Sequence, residues 1–284
     1  MIDIKEEQIK MIDRVVGMYF SPTGTTEKIV QELVELLSLK FQCEKAYIDF
    51  TLPGVREEVQ TFSSSDLVIF GTPVYAGRVP NVLLKYIHTV SGGEALAVPI
   101  VLFGNRNYDD ALAELQSLLA EDGFLPVAAG AFVGEHSFSE ILGAGRPDNA
   151  DMEVAETFAD DIYNKLCDGF RPQKGELLNV GGEYPSKGYY QPRDRKGNPV
   201  DIRKVKPKTS DSCNNCKLCV KVCPMGSISF DNVREFTGIC IKCGSCIKKC
   251  PMGAKYYDAE SYLYHQHELE EEYTRRAEPS LFYN

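Results

Sequence analysis

Val15-Val16-Gly17-Met18-Tyr19-Phe20-Ser21, followed by Pro22-Thr23-Gly24-Thr25-Thr26, is the stretch on which the fold turns. Residues 15–21 are almost continuously apolar and read as a strand covered on both faces. A hydroxyl-rich turn comes next, and then a helical pattern to about Leu39, with Ile29, Val30, Leu33, Leu36 and Leu37 recurring at three- and four-residue intervals. Further strands are expected at 45–49, 66–71, 98–104 and 126–133, and helices near 55–62, 79–90, 109–122 and 151–168. Strand and helix alternate, which predicts a doubly wound α/β fold with a parallel five-stranded sheet. In such a sheet the ligand crevice lies at the carboxyl ends of the strands.

Three loops fall at those ends. The first holds Ser21, Thr23, Gly24, Thr25 and Thr26. Its hydroxyls and N–H groups face the positive end of a helix, which suits a phosphate, and Gly24 lets the backbone approach. The alternative is an ordinary cap, with the hydroxyls satisfying the helix end. No lysine follows, as a nucleoside-triphosphate loop requires, and no G-x-G-x-x-G is present. The second loop is Thr72-Pro73-Val74-Tyr75-Ala76-Gly77-Arg78-Val79-Pro80, and the third is Gly104-Asn105-Arg106-Asn107-Tyr108-Asp109-Asp110. The first loop resembles the phosphate loop of flavodoxins, T/S-x-T-G-x-T, and with the other two the resemblance covers about 15–168. It implies FMN, with Tyr75 and Tyr108 as ring contacts in a chain that has no tryptophan. It also implies that Gly77 permits a peptide rearrangement offering a carbonyl to flavin N5. Arg78 and Arg106 beside the ring depart from that pattern.

Ten cysteines divide unequally. Cys43 and Cys167 stand alone, while Cys213, Cys216, Cys219 and Cys223 form one C-x-x-C-x-x-C-x-x-x-C-P run and Cys240, Cys243, Cys246 and Cys250 another, offset by 27 residues. Zinc sites use separated C-x-x-C pairs, not tight triplets with a fourth cysteine and a proline beyond. Residues 208–257 resemble the bacterial-type dicluster ferredoxins, with all eight ligands and both prolines present. The resemblance implies two 4Fe–4S clusters in a small α+β domain, each taking its fourth ligand from the other run. Cys213, Cys216, Cys219 and Cys250 would hold cluster one; Cys240, Cys243, Cys246 and Cys223 would hold cluster two. Residues 228–230 and 255–257 are strand-like and correspond in the repeat.

Of 284 residues, 43% are apolar and 25% charged, so the chain has the composition of a folded protein. Its charge of −10 is uneven: residues 1–170 carry 12 basic and 27 acidic side chains, whereas 186–255 carry 15 and 5. The acidic balance argues against a nucleic-acid partner. No run reaches the ~20 apolar residues of a membrane span. Residues 1–10 lack the apolar core of an export signal, and a cytoplasmic location is expected. The expected domains are 1–168, a basic connecting strap at 169–207, the cluster domain at 208–257, and a helix with an apolar tail at 258–284. Tyr184, Tyr189 and Tyr190 favour a strap packed on a domain over a free linker. His265 and His267 read as surface residues.

The whole chain resembles the flavodoxin–ferredoxin fusion proteins of anaerobic bacteria and archaea. The resemblance implies electron transfer between clusters and FMN, a converter between one- and two-electron partners. The partner is expected to be a redox protein or a small acceptor. The alternative is a flavin-dependent reductase of a quinone, nitro compound or enone, and a weaker one is a redox sensor or scaffold. No acid–base or nucleophilic constellation marks a catalytic side chain.

Overall fold

The computed structural model describes residues 12–193 and 196–283; the first ten residues, read above for an export signal, lie outside it. The first strand β1 (Arg14–Tyr19) leads into α1 (Thr25–Phe41), β2 (Glu44–Asp49), β3 (Asp66–Pro73), α2 (Asn81–Ile87), β4 (Leu96–Phe103) and α3 (Ala111–Glu121). The short β5 (Leu125–Pro126), β6 (Ala128–Val133) and α4 (Asn149–Cys167) complete this part. Strand order is β2-β1-β3-β4-β6, all parallel, with register pairs such as Val16–Val68 and Val101–Ala131. This is the flavodoxin-like order, whose ligand crevice opens where the chain reverses direction between β1 and β3.

Alternation along the strands sends neighbours to opposite faces. Val16 and Met18 join Phe70, Val101 and Leu115 beneath α2 and α3. Val15 and Tyr19 join Ile29, Leu33, Val98 and Phe158 beneath α1 and α4. Each fully buried phenylalanine or leucine contributes roughly 1.5–3 kcal/mol. Helix α4 starts in a capping box, in which Asp148 accepts from Ala150 and Asp151 N–H while the Asp151 side chain accepts from Asp148 N–H.

Three expectations need correction. The helix expected at 55–62 is a single 3-10 turn, Pro53–Glu57, after which the chain runs extended and Thr61 bridges Ser91. The sheet has more than five strands: β5 pairs with the start of β4, and β9 (Ser280–Tyr283) adds antiparallel to β6, with Gly130 opposite Leu281. The apolar tail therefore docks on the sheet edge of the first domain. His265 is buried on α7 (Glu260–Glu272), next to Glu268, whereas His267 is exposed.

The strap is packed. Leu178 and Val180 are buried in the core under α3, and the Gln116 amide clamps Leu178 by donating to its carbonyl at 2.9 Å and accepting its N–H at 3.1 Å. The cysteine-rich part carries β7 (Lys208–Thr209), α5 (Leu218–Lys221), α6 (Ser245–Lys248) and β8 (Lys255–Tyr256). β7 pairs with β8, and Ile228 bridges Phe236, so each half of the repeat has its own small pairing. No helix among the described residues is long and apolar enough to cross a membrane.

Candidate functional site: two thiol cages against a sheet-end crevice

The 27-residue repeat of the cysteines is also a repeat of backbone shape. Asn215 and Lys242 have φ of 59° and 58°, Lys217 and Gly244 63° and 76°, and Gly226 and Gly253 57° each. These left-handed residues turn the chain so that successive thiols face one centre. A recess of about 320 Å³, including its open mouth, is lined by Cys213, Cys216, Cys219 and Cys250, three from the first run and one from the second. In the other cage, Cys243 and Cys246 each lie in the electrostatic reach of Cys240 and Cys223. All ten cysteines are free of disulfides.

The donor set and its 3 + 1 crossing fit two cubane clusters. Among the described residues no three His, Cys, Asp or Glu side chains close on a single metal ion; a cubane spreads its thiolates around four irons, so the two statements are compatible. Burial pushes the Cys243 thiol up to about 12 and Cys246 up as well. Burial acts on Cys250 in the same sense, but N–H groups of 252–255 outweigh it and lower its value. Coordination deprotonates such thiols outright. Main-chain N–H groups already point at sulfur: Asn215 to Cys213 at 3.4 Å, Ser227 to Cys223 at 3.4 Å and Ala254 to Cys250 at 3.3 Å. The cages differ in setting, since Cys216 is exposed and Cys243 buried.

At the sheet end, Gly24 begins α1 at φ 94°, and a Cβ there would meet nothing within 4 Å. Ser21 braces the turn: its N–H donates to Thr51 Oγ1 at 2.7 Å and its hydroxyl accepts from Glu27 N–H at 2.9 Å. Among the described residues no acceptor meets the N–H groups of Thr23, Thr25 and Thr26. The loop thus keeps unpaired donors at a helix N-terminus, which fits a phosphate, and the helix end is met by the Ser21 hydroxyl, where the alternative reading expected the threonine hydroxyls.

The ring-side loops depart from expectation. Ala76 and Gly77, at φ 50° and 78°, form a tight turn closed by Tyr75 N–H to Arg78 O and Arg78 N–H to Tyr75 O. The Gly77 carbonyl accepts from Asp110 N–H at 3.0 Å and the Ala76 carbonyl from Tyr190 N–H at 2.8 Å, so both are committed within the protein. The Asn105 amide donates to Tyr273 and Arg275 carbonyls and accepts from Ala277 N–H, tying down the tail instead of facing a ligand. Asn107 accepts from Asp109 N–H in its own turn, and Tyr108 packs on Phe103 at 5.5 Å. Val74 joins the core edge, with its N–H on Leu102 O; Pro73 ends β3; the Thr72 hydroxyl is buried without a partner. Arg78 pairs with buried Glu114 and covers Tyr189, while Arg106 pairs with Asp109 and covers Tyr190.

The sequence reading missed the loop 134–139 after β6. Gly104 admits the His136 ring, which would lie 2.3 Å from a Cβ there, and Gly134 admits the Thr25 hydroxyl in the same way at 3.0 Å. His136 Nδ1 accepts from Phe138 N–H at 3.1 Å, which leaves the proton on Nε2. Burial, then nearby His265, Lys248 and Arg106, push His136 down to about 3. Burial likewise raises Tyr75 well above the usual phenol range, with Cys243 and Cys240 adding to it. Yet both side chains keep some accessible surface. Both lie on loops at the carboxyl ends of the strands, the crevice end of the sheet.

The cysteine module packs directly on loop 134–139. A Cβ on Gly244 would stand 2.6 Å from Ser137 O, and Lys248 pairs with Glu135 and donates to Ser139 O at 2.9 Å. Ile241 packs on the sheet core, Arg56 donates to Pro224 O, and Phe138 meets Tyr262 at 4.8 Å.

Residues 212–255 match the family model of the 4Fe-4S dicluster domain. No curated protein matches the chain in sequence. Among solved structures, similar folds include a flavodoxin from the domain Archaea, 12% identical, covering 54% of this chain and 98% of that one with a TM-score of 0.38. A flavodoxin of Streptococcus pneumonia TIGR4 is 16% identical over 54% and 99%, TM-score 0.38. Rubredoxin oxygen:oxidoreductase from the anaerobe Desulfovibrio gigas is 21% identical over 57% and 38%, TM-score 0.41. The strand order of this chain, not these distant likenesses, identifies its first fold. The chain joins a flavodoxin-like α/β domain to a 4Fe–4S dicluster domain.

Proposed function

We propose that this protein moves electrons between two 4Fe–4S clusters, held by Cys213, Cys216, Cys219 and Cys250 and by Cys240, Cys243, Cys246 and Cys223, and an FMN seated at the sheet end. The clusters would exchange one electron each and FMN two, so the pairing serves a partner oxidoreductase as a one-/two-electron converter in the cytoplasm. The observation that carries the reading is the packing of the cysteine module on the loops at the sheet end, Gly244 against Ser137 O, Lys248 on Glu135 and Ile241 on the sheet core, with Tyr75 in the electrostatic reach of Cys240 and Cys243.

The residues would divide the work as follows. The N–H groups of Thr23, Thr25 and Thr26 bind the phosphate, with the α1 dipole behind them. Tyr75 closes the side towards the cage. His136 offers a neutral Nε2–H at the sheet end. Strap residues Tyr189 and Tyr190, His265 on α7 and the tail lie over loops 75–78 and 105–110. This covering favours a carrier over a reductase that must admit a small acceptor. The domains acting as units would be 1–168 and 208–257, joined by 169–207 and tied by 258–284.

Stopped-flow reduction of the clusters, followed at flavin wavelengths over a protein dilution series, tests the reading. A flavin rate independent of protein concentration is expected, because donor and acceptor are in one molecule. A rate proportional to concentration would place the transfer between molecules and reject it.

A further inference from the structure

Four buried side-chain polar atoms among the described residues have no hydrogen-bonding partner, and the one in the cysteine module is the Tyr257 hydroxyl. Its ring cannot swing away, since it stacks on Tyr262 with centroids 3.8 Å apart and planes at 27°. Besides burial, Cys240, Tyr262 and Cys246 act electrostatically on this phenol, and the two cysteines are both assigned to the second cage, Cys240 having the larger influence. A buried donor without an acceptor bears the full cost of losing water, so the site is built for an acceptor that the filled cage supplies.

The internal repeat provides a comparison within one molecule. The offset of 27 that matches Cys213 with Cys240 also matches Phe230 with Tyr257. Phe230 has no hydroxyl and is 65% exposed. Two of the main-chain donors do not make this distinction, because Ser227 N–H to Cys223 and Ala254 N–H to Cys250 are repeat mates, one at each cage; the third, Asn215 N–H to Cys213, belongs to the first cage.

We infer that the Tyr257 hydroxyl donates a hydrogen bond to the Cys240 sulfur of the second cage and raises the reduction potential of cluster two relative to cluster one. Each cluster gains one electron and one negative charge on reduction, and a donor at a ligand sulfur stabilises that charge. The phenol keeps its proton throughout. Burial of cage two works the other way, since low polarity disfavours the more charged reduced form. The hydroxyl offsets that burial, so an electron entering at the exposed cage near Cys216 is drawn to the cage beside Tyr75. The inference rests on the two-cluster reading.

The test is an EPR-monitored redox titration of the fully loaded, full-length protein and of Tyr257→Phe. Phenylalanine keeps the stack and removes the donor. The oxidised-to-reduced ratio of one cluster should rise about tenfold at a given potential, a fall of about 59 mV for one electron, while the other cluster stays unchanged. A second variant carries 3-fluorotyrosine at position 257, a stronger donor, and should move the same cluster upward. If Tyr257→Phe does not assemble, the fluorinated protein decides alone. Unshifted potentials, or equal shifts at both clusters, overturn the inference. Iron and sulfide analysis of the same samples keeps the two claims apart: about four iron per chain rejects the two-cluster reading, whereas about eight iron with unmoved potentials rejects only the role of Tyr257.

Discussion

Replacing Gly244 with alanine should strain the junction between the two modules by an amount the repeat allows to be isolated. Gly244 has φ 76°, and its new methyl would stand 2.6 Å from Ser137 O, a main-chain atom. To reach an ordinary contact of 3.4 Å that carbonyl must retreat by about 0.8 Å, carrying the loop that holds His136. Gly253 has a similar φ of 57° but nothing within 4 Å of its Cβ position. Gly253→Ala therefore costs only the left-handed backbone strain, about 1–2 kcal/mol. Gly244→Ala costs that strain plus overpacking of about 1–3 kcal/mol. Lys217, the repeat mate of Gly244, already carries a side chain at φ 63°, so the backbone term by itself is tolerable. The assay is urea unfolding of the loaded protein, followed by far-UV circular dichroism and by cluster absorbance, with midpoints converted through the slope. Gly244→Ala should be less stable than Gly253→Ala by at least about 1 kcal/mol. Equal losses in the two variants would refute the close contact between α6 and loop 134–139.

Three further outcomes follow from the same geometry. Anaerobically prepared protein should contain about eight iron and eight sulfide per chain, and Cys219→Ser should lose one cluster; chemical analysis and EPR decide. Gly24→Val should weaken FMN binding sharply while riboflavin binds poorly to the parent protein, and equal affinity of the parent for both flavins in a fluorescence titration would reduce loop 21–26 to a helix cap. His136 has its folded value lowered to about 3, below an ordinary 6.5, so the unfolded chain binds the extra proton between those values. Stability from this group is then complete above about pH 6.5 and falls as pH drops, by up to about 1.4 kcal/mol per unit, less what its remaining contact with water screens. His136→Gln should flatten urea-midpoint curves between about pH 5 and pH 7, and an unchanged slope would show the imidazole to be solvated.

The alternating α/β pattern and the cysteine-rich second domain were legible because they rest on local signals. Apolar alternation around Val15–Tyr19, the turn at Gly24 and the two cysteine runs each state their geometry within a few residues. The ring-side loops were not legible in the same way. Asn105 and Gly77 look free in sequence, but their partners, the 273–277 tail and Asp110, lie about 170 and 33 residues on. His265 looked like a surface residue because the helix carrying it ends in a run of glutamates; its cover comes from Tyr190 and Phe138, on distant segments. Loop 134–139 does follow an apolar strand and carries His136 between Glu135 and Ser137, a signal of the same kind as the first three loops.

The pairing of β9 with β6 means that the polypeptide enters the cluster module from one side of the first domain and returns to its sheet edge afterwards. In topology the module is an insertion, not an appendage. A single protease cut in the strap would leave both pieces associated, because the returning strand still holds its place, and only a second cut before Ser280 would release the module. The same arrangement bears on assembly at the ribosome: the sheet cannot receive its last strand until every cysteine has emerged. Cluster insertion and completion of the first domain are in that way parts of one maturation event.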